Sequence, residues 1–463
     1  MKWKIATAVI CCFGVFKDFR PSESYLTSYL TSADMKNLSV TDVNSEVYPV
    51  WTYSYLATLF LVLLITDYLR YKIVIIFEAI AYITTWLLLL WGKRILHMQL
   101  MQVVYGFATS TEIAYYSYIY AAVSEVHYRK VSGFVRGSSL SGRFFAAILG
   151  QILVISGVNY FKLNIISTVN VCVAFVISIF LPKVEKSFYF HKHTTNQNTE
   201  DTDLDSANSQ NTINTSSIIQ LNTDSSIHST KDDNRSNDNI VKVSFKDGIK
   251  KMATDFIRSY SHRELLIWSF WWAMDSCGNL QLGNYIQNLW IEITPNRTHT
   301  NNYNGAVDAA SMALSAASSF GVGFVKIDWN SYENVLLFSV NVIISALMIV
   351  MAHATKIWLA YMCYIIIRIS YHTVLTIATY QIATFLDTQS YALVFGFNTF
   401  LALVLETILT IIVVDKRGLN LDIRTQFIVY GGYFGVLALP FLARMFYCFF
   451  YKRRSMGFKN ENT

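Results

Sequence analysis

Twelve apolar windows of about twenty residues fill most of this 463-residue chain. They lie near 5–30, 50–69, 72–91, 98–123, 131–157 and 162–182, then 264–291, 304–325, 333–352, 357–385, 390–414 and 425–451. A helix of that length crosses the ~30 Å hydrocarbon core of a bilayer, and in lipid every backbone N–H and C=O must find its partner inside the element. The chain is therefore restricted to an all-α membrane bundle with the bilayer as its main partner. Composition agrees, with 53% hydrophobic and only 15% charged residues, against roughly 25% charged in soluble domains. A soluble enzyme, a nucleic-acid binder and a secreted disulfide scaffold are excluded. All six cysteines fall in apolar segments with no CxxC pair, so neither a disulfide framework nor a metal site is expected. No nucleophile elbow or phosphate-cradling glycine loop occurs, so the reading is not an enzyme and assigns no cofactor.

The first window opens like a signal peptide with Lys2 and Lys4, but runs on into Lys17-Asp18-Phe19-Arg20-Pro21 without a small-residue cleavage site. It reads as a retained, irregular first helix. Residues 183–250 are rich in Ser, Thr, Asn and Asp and cannot bury enough apolar surface to offset their chain entropy, so a disordered cytoplasmic linker is expected there. It separates a six-span bundle over 1–182 from a second over 251–451, with 452–463 as a tail. Six spans, a linker and six more is the layout of major facilitator transporters, whose halves rock about a site near the bilayer midplane. With both termini inside, the cytoplasmic flanks collect about seventeen Lys and Arg and the outer flanks about nine. That orientation places the glycosylation sequons at Asn37 and Asn296 outside.

Charges inside the windows point to function. Glu23, Glu78, Glu112, Arg136, Arg143, Asp275, Asp308, Arg368 and Glu406 lie in or beside apolar segments. Facing lipid they would cost on the order of 20 kcal/mol together, so they must face a watery cavity or one another. In the fourth window Gln102, Tyr105, Thr109, Glu112 and Tyr116 recur at spacings of three and four, which puts them on one helical face. A carboxylate among aromatic rings suits an organic cation, with cation–π attraction of about 0.5–2 kcal/mol. Equally, Glu112 pairs structurally with Arg136 or Arg143 of the next helix. Asn284 sits with Gln281 among Gly278 and Gly283, a stretch read either as unwound at a site or as close helix packing. His372, one turn from Arg368, is a candidate proton relay.

Several segments carry a resemblance. They are Phe19-Arg20-Pro21-Ser22-Glu23, Tyr48-Pro49-Val50-Trp51-Thr52-Tyr53-Ser54-Tyr55, Thr66-Asp67-Tyr68-Leu69-Arg70-Tyr71-Lys72 and Glu112-Ile113-Ala114-Tyr115-Tyr116. Further on come Tyr303-Asn304-Gly305-Ala306-Val307, Tyr391-Ala392-Leu393-Val394-Phe395-Gly396 and Val413-Val414-Asp415-Lys416-Arg417-Gly418-Leu419. In order and spacing they resemble the animal folate and thiamine carrier family. The resemblance implies a major facilitator fold and uptake of a water-soluble vitamin at the plasma membrane.

Folate-type members carry an Arg at the position of Glu112 and a Lys at that of Glu406. Thiamine-type members resemble this chain at Glu112 and have a neutral amide where Glu406 stands. Two anions in place of two cations repel a folate carboxylate and attract the thiazolium of thiamine. The chain departs from the thiamine pattern at Gln102, where those members carry Glu, and at Arg143, where they carry an aromatic residue. By resemblance Glu23, Tyr48, Trp51, Thr85, Gln102, Tyr105 and Asn284 are pocket residues. Glu112, Arg368 and Glu406 join them on charge, and Arg143 is a further possible pocket charge. Thiamine is the expected substrate. A reduced folate is the alternative, and a vitamin-binding receptor without turnover is the reading from another class.

Overall fold

The computed structural model describes residues 2–184, 191–193, 240–242, 250, 254, 257–258 and 260–460, apart from 70, 124–127, 296–301, 323–326, 328 and 385–390. Twelve long helices occur among the described residues. The first six are α1 (Lys2–Asp18), α2 (Tyr48–Tyr68), α3 (Lys72–Trp91), α4 (Ile95–Ala122), α5 (Tyr128–Ile155) and α6 (Tyr160–Ile179). The second six are α7 (Arg263–Ile293), α8 (Asn304–Val322), α9 (Trp329–Ala352), α10 (Ile357–Thr384), α11 (Tyr391–Val413) and α12 (Ile423–Asn460). Seven of them, α3, α5, α6 and α9–α12, are long and apolar enough to cross a membrane by length and composition alone. Large apolar side chains such as Phe60, Leu61, Phe77 and Ile152 point outward and exposed, as a lipid-facing surface requires.

The first window does not form one helix. Pro21 disfavours helical backbone at Arg20, and the chain breaks after Asp18 into a 3₁₀ turn at Glu23–Tyr25 and a short helix at Leu26–Thr31. Ser22 fills the break by hydrogen bonding to Ser167 of α6, through its backbone N at 3.2 Å and its hydroxyl at 2.9 Å. The opposite outcome holds for α7. The stretch around Asn284 is continuous helix rather than unwound: Gly278 serves packing, since a Cβ there would stand 2.3 Å from Cζ of Phe434 on α12, whereas Gly283 faces open space at the cavity. The ends of the linker pair as a short antiparallel ladder, His191–His193 with Ile240–Lys242. The disorder expected between them lies outside the described residues, as does the sequon at Asn296.

The halves α1–α6 and α7–α12 meet along α2 with α11 and α5 with α8. Among the described residues the hydrogen bonds between halves gather at one end of the bundle, the end whose loop carries Asn37. Gln287 accepts from the backbone N of Thr27 and donates to the carbonyl of Glu23, both at 3.1 Å. Asn288 donates to Asn44 at 2.9 Å, and Tyr53 to Asp415 at 2.6 Å. At the rim Lys416 pairs with Glu46 at 2.6 Å. On the other side of the bundle Gln151 accepts from the backbone N of Ala306 at 2.8 Å and donates to the carbonyl of Asn302 at 2.9 Å. This end is closed.

Candidate functional site

The break in α1 carries four charged side chains into the amino-terminal half. Lys17 is 1% exposed, and its Nζ lies 2.8 Å from Glu78 of α3, 3.1 Å from Glu112 of α4 and 4.2 Å over the ring of Tyr115. Arg143 of α5 reaches Asp18 and Glu112, each at 3.4 Å. Arg20 bridges Asp18 at 3.4 Å and Glu23 at 3.1 Å, and lies over the rings of Tyr82 and Trp86. Ser139 donates a further hydrogen bond to Asp18. An isolated buried ion costs several kcal/mol, which only close pairing with further hydrogen bonds offsets. Three cations here hold four carboxylates, so the cluster keeps one carboxylate in excess.

Aromatic rings wall this cluster. Trp51 donates its ring N–H to Thr109 at 3.2 Å and packs against Tyr55 and Tyr105, at centroid separations of 5.4 and 6.3 Å. Tyr105 packs in turn on Tyr82 and Trp86 and donates its hydroxyl to Glu23 at 2.9 Å. Asp18, Arg20, Glu23 and Arg143 share one cavity of about 170 Å³ with Gln287, Asp308 and Tyr364 of the other half. Tyr364 donates to Asp308 at 3.3 Å, and Arg368 donates to Asn279 at 2.8 Å.

Glu406 lies apart from the ion-paired cluster, at the junction of the halves. It is fully buried; Thr52 of α2 donates to its Oε1 at 3.3 Å and Asn284 of α7 at 2.9 Å. Its Oε2 has no hydrogen-bond partner, and among the described residues no cation lies within ion-pairing distance. Gln281 fixes the helix beneath by donating to the Glu406 carbonyl at 3.1 Å and to Thr410 at 2.7 Å.

The structure thus lines the cavity with Glu23, links Glu23 to Tyr105 and Tyr105 to Trp51 behind it, and joins Asn284 to Glu406 at the interface. Glu112 sits between Lys17 and Arg143. Arg136, its other expected partner, is exposed. Tyr48 packs edge-on to Tyr285 at 6.2 Å and shares a 2.5 Å hydrogen bond with Thr27. Thr85 is buried and turned onto its own helix, donating to the Ala81 carbonyl, and Gln102 is buried in α4. Sequence reasoning missed Lys17, Asp18 and Arg20 as site residues, and with them Thr52 and Gln287. For the first three the signal was available: a Lys-Asp-Phe-Arg run ahead of a proline, still inside an apolar window.

A family model described as reduced folate carrier matches residues 1–429. The chain is 42% identical to human thiamine transporter 1, over 95% of this chain and 89% of that protein. It is 37% identical to folate transporter 1 of Caenorhabditis elegans, over 95% and 92% of the two chains. Among solved structures, the POT family transporter PepTSo aligns over 97% of this chain and 99% of its own with a TM-score of 0.64, at 12% identity. That likeness is one of fold: two six-helix bundles about a central cavity. The charged break between α1 and α2 and every long helix except most of α12 fall within the matched residues, and the chain belongs to the reduced folate carrier family of membrane transporters.

Proposed function

We propose that this transporter takes up thiamine across the plasma membrane by alternating access, with both termini cytoplasmic. The observation that carries the choice of substrate is Glu406. A buried carboxylate held by one hydroxyl and one amide, with an oxygen to spare and no cation near it, is an acceptor waiting for positive charge. Below it the ion-paired cluster adds one further carboxylate in excess, and the rings of Trp51, Tyr55 and Tyr105 offer faces to a planar heterocycle. A thiazolium cation meets a favourable field there, and a folate dianion meets a repulsive one. The greater identity to a thiamine transporter than to a folate transporter supports the same reading. With the Asn37 end outside, the closed end faces the exterior and the cavity is set to open toward the cytoplasm.

The test is uptake of labelled thiamine into cells expressing the chain, with unlabelled thiamine, folate and 5-methylfolate as competitors. Block by thiamine and indifference to the folates is the expected result. Uptake of labelled folate, or block of thiamine uptake by folates, would mean that Arg20 and Arg143 rather than Glu406 set the charge of the pocket.

A further inference from the structure

A second carboxyl in the carboxy-terminal half stands outside the site described above. Asp275 is the thirteenth residue of α7, which places it ~18 Å along the helix and near mid-membrane. It is fully buried, both side-chain oxygens lack a hydrogen-bond partner, and no ion pair to it exists among the described residues. Glu78 and Glu112 share a lysine, and Glu406 has two donors. Asp275 has neither cation nor donor.

The groups around it explain why. The titratable side chains close enough to sense its charge are Cys277 on α7, Tyr371 on α10 and Tyr433 on α12. Tyr433 gives its hydroxyl to the Met274 carbonyl at 2.7 Å, and Tyr371 shares a 3.2 Å hydrogen bond with Ser276. On α10 the neighbouring cation, Arg368, is held by Asn279, and His372 packs its ring beside Tyr371 at 5.0 Å. Glu406, on α11, adds another negative charge beyond Cys277. The short helix at Leu26–Thr31, which also packs on α7, contributes only Tyr29. Among the described residues no cation reaches ion-pairing distance of Asp275, and Arg368 of α10 is turned to Asn279 instead. An ionised carboxylate cannot be held in such a place, because its desolvation would go uncompensated.

We propose that Asp275 is a proton-binding site of the transport cycle, separate from the vitamin pocket, which holds a proton while the Asn37 end is closed and exchanges it when the halves rock. Release breaks the Asp275 O–H bond and passes the proton to water admitted along α7 and α10, beside the Ser276 and Tyr371 hydroxyls. The carboxylate then persists only in a state where water reaches it, so proton occupancy and conformation are linked. Such a site rests on the transport reading but not on the identity of the vitamin.

The test uses full-length protein in liposomes and Asp275→Asn, whose amide reproduces the shape and neutrality of the protonated acid. Labelled-thiamine exchange at equal pH on both sides reports the carrier, and net uptake under an imposed pH gradient reports coupling. The wild type should show both activities, and D275N should keep exchange but lose all response to the gradient. A D275N protein whose uptake still follows the gradient overturns the proposal. So does one that loses exchange at normal incorporation, since a neutral side chain should suffice for that step. If the wild type exchanges folate and not thiamine, the substrate reading fails and the gradient comparison is made with folate. A readout free of substrate is the infrared carbonyl band of a protonated carboxyl in purified protein at neutral pH. It should be present in the wild type and weaker by one carboxyl in D275N, and an identical band in the two proteins, or none in the wild type, also overturns the proposal.

Discussion

A carboxylate and a lysine buried in one transporter have opposite charge environments, and the contrast predicts different mutational phenotypes. Glu406 accepts from Thr52 and Asn284 without a cation, so Glu406→Gln keeps the shape and removes the charge. It should raise the KM for thiamine roughly tenfold or more at normal surface expression, the scale of one charged hydrogen bond. Unchanged kinetics would remove Glu406 from the pocket. Lys17 has the reverse role, since it neutralises Glu78 and Glu112 at once. Lys17→Met strands the buried Glu78 and leaves half-buried Glu112 to Arg143 alone, and stability should fall by about 3–5 kcal/mol, the usual scale for breaking a buried ion pair. Thermal denaturation of the purified protein would show this, and K17M/E78Q should recover part of the loss. The charge at Glu406 was read from sequence, but the two donors that hold it and the role of Lys17 were not. Intramembrane charges announced themselves, but which cation meets which carboxylate is decided by α1, α3, α4 and α5 packing together, and no local spacing encodes that.

At the level of elements, hydrophobic length was enough to place the helices. The windows at 72–91 and 357–385 coincide with α3 and α10 to within a residue, because a span is delimited by where the chain must leave hydrocarbon. The errors lie where backbone chemistry competes with hydropathy. Pro21 ended α1 inside its window, whereas Gly278 and Gly283, read as possible unwinding, left α7 intact. In an apolar environment a helical glycine keeps its hydrogen bonds and yields space to a neighbour. Gly278→Val should therefore drive the helix against Phe434 and destabilise the carboxy-terminal half by about 1–3 kcal/mol, as overpacking does. Replacing Phe434 by Leu in the same chain should relieve part of it in the same melting experiment.

For the whole molecule, the closed end is the feature that sets the state. Its rim pair, Lys416 in the turn after α11 with Glu46 in the helical turn before α2, lies outside the long helices, and the hydrogen bond to Glu46 and its negative charge raise the lysine above its ordinary value. A raised lysine keeps its contribution below the unperturbed value and loses it as pH climbs through the raised one, so the rim should hold throughout the physiological range and weaken in strong base. Tyr53→Phe combined with Lys416→Ala removes two ties between the halves and should favour the state open at this end. The check is labelling of a cysteine placed at Ser24, which is buried beneath the seal, by a membrane-impermeant thiol reagent in an otherwise cysteine-free chain. Its rate should rise several-fold over the parent, and an unchanged rate would mean that the amide contacts of Gln287, Asn288 and Gln151 suffice to hold the seal.

Those contacts are amides, hydroxyls and carbonyls rather than interlocked oil, and this has an energetic consequence. An apolar plug can part only by exposing its surface to solvent, at a cost that grows with area. A polar one trades each protein partner for a water molecule at near parity, with about 0.5–1.5 kcal/mol at stake per hydrogen bond. The Gln287, Asn288 and Tyr53 links to the opposite half can therefore dissolve one at a time, each hydrated as it opens. Water itself is then a working component of the gate, and a difference of a few hydrogen bonds is enough to tip the balance between the two faces.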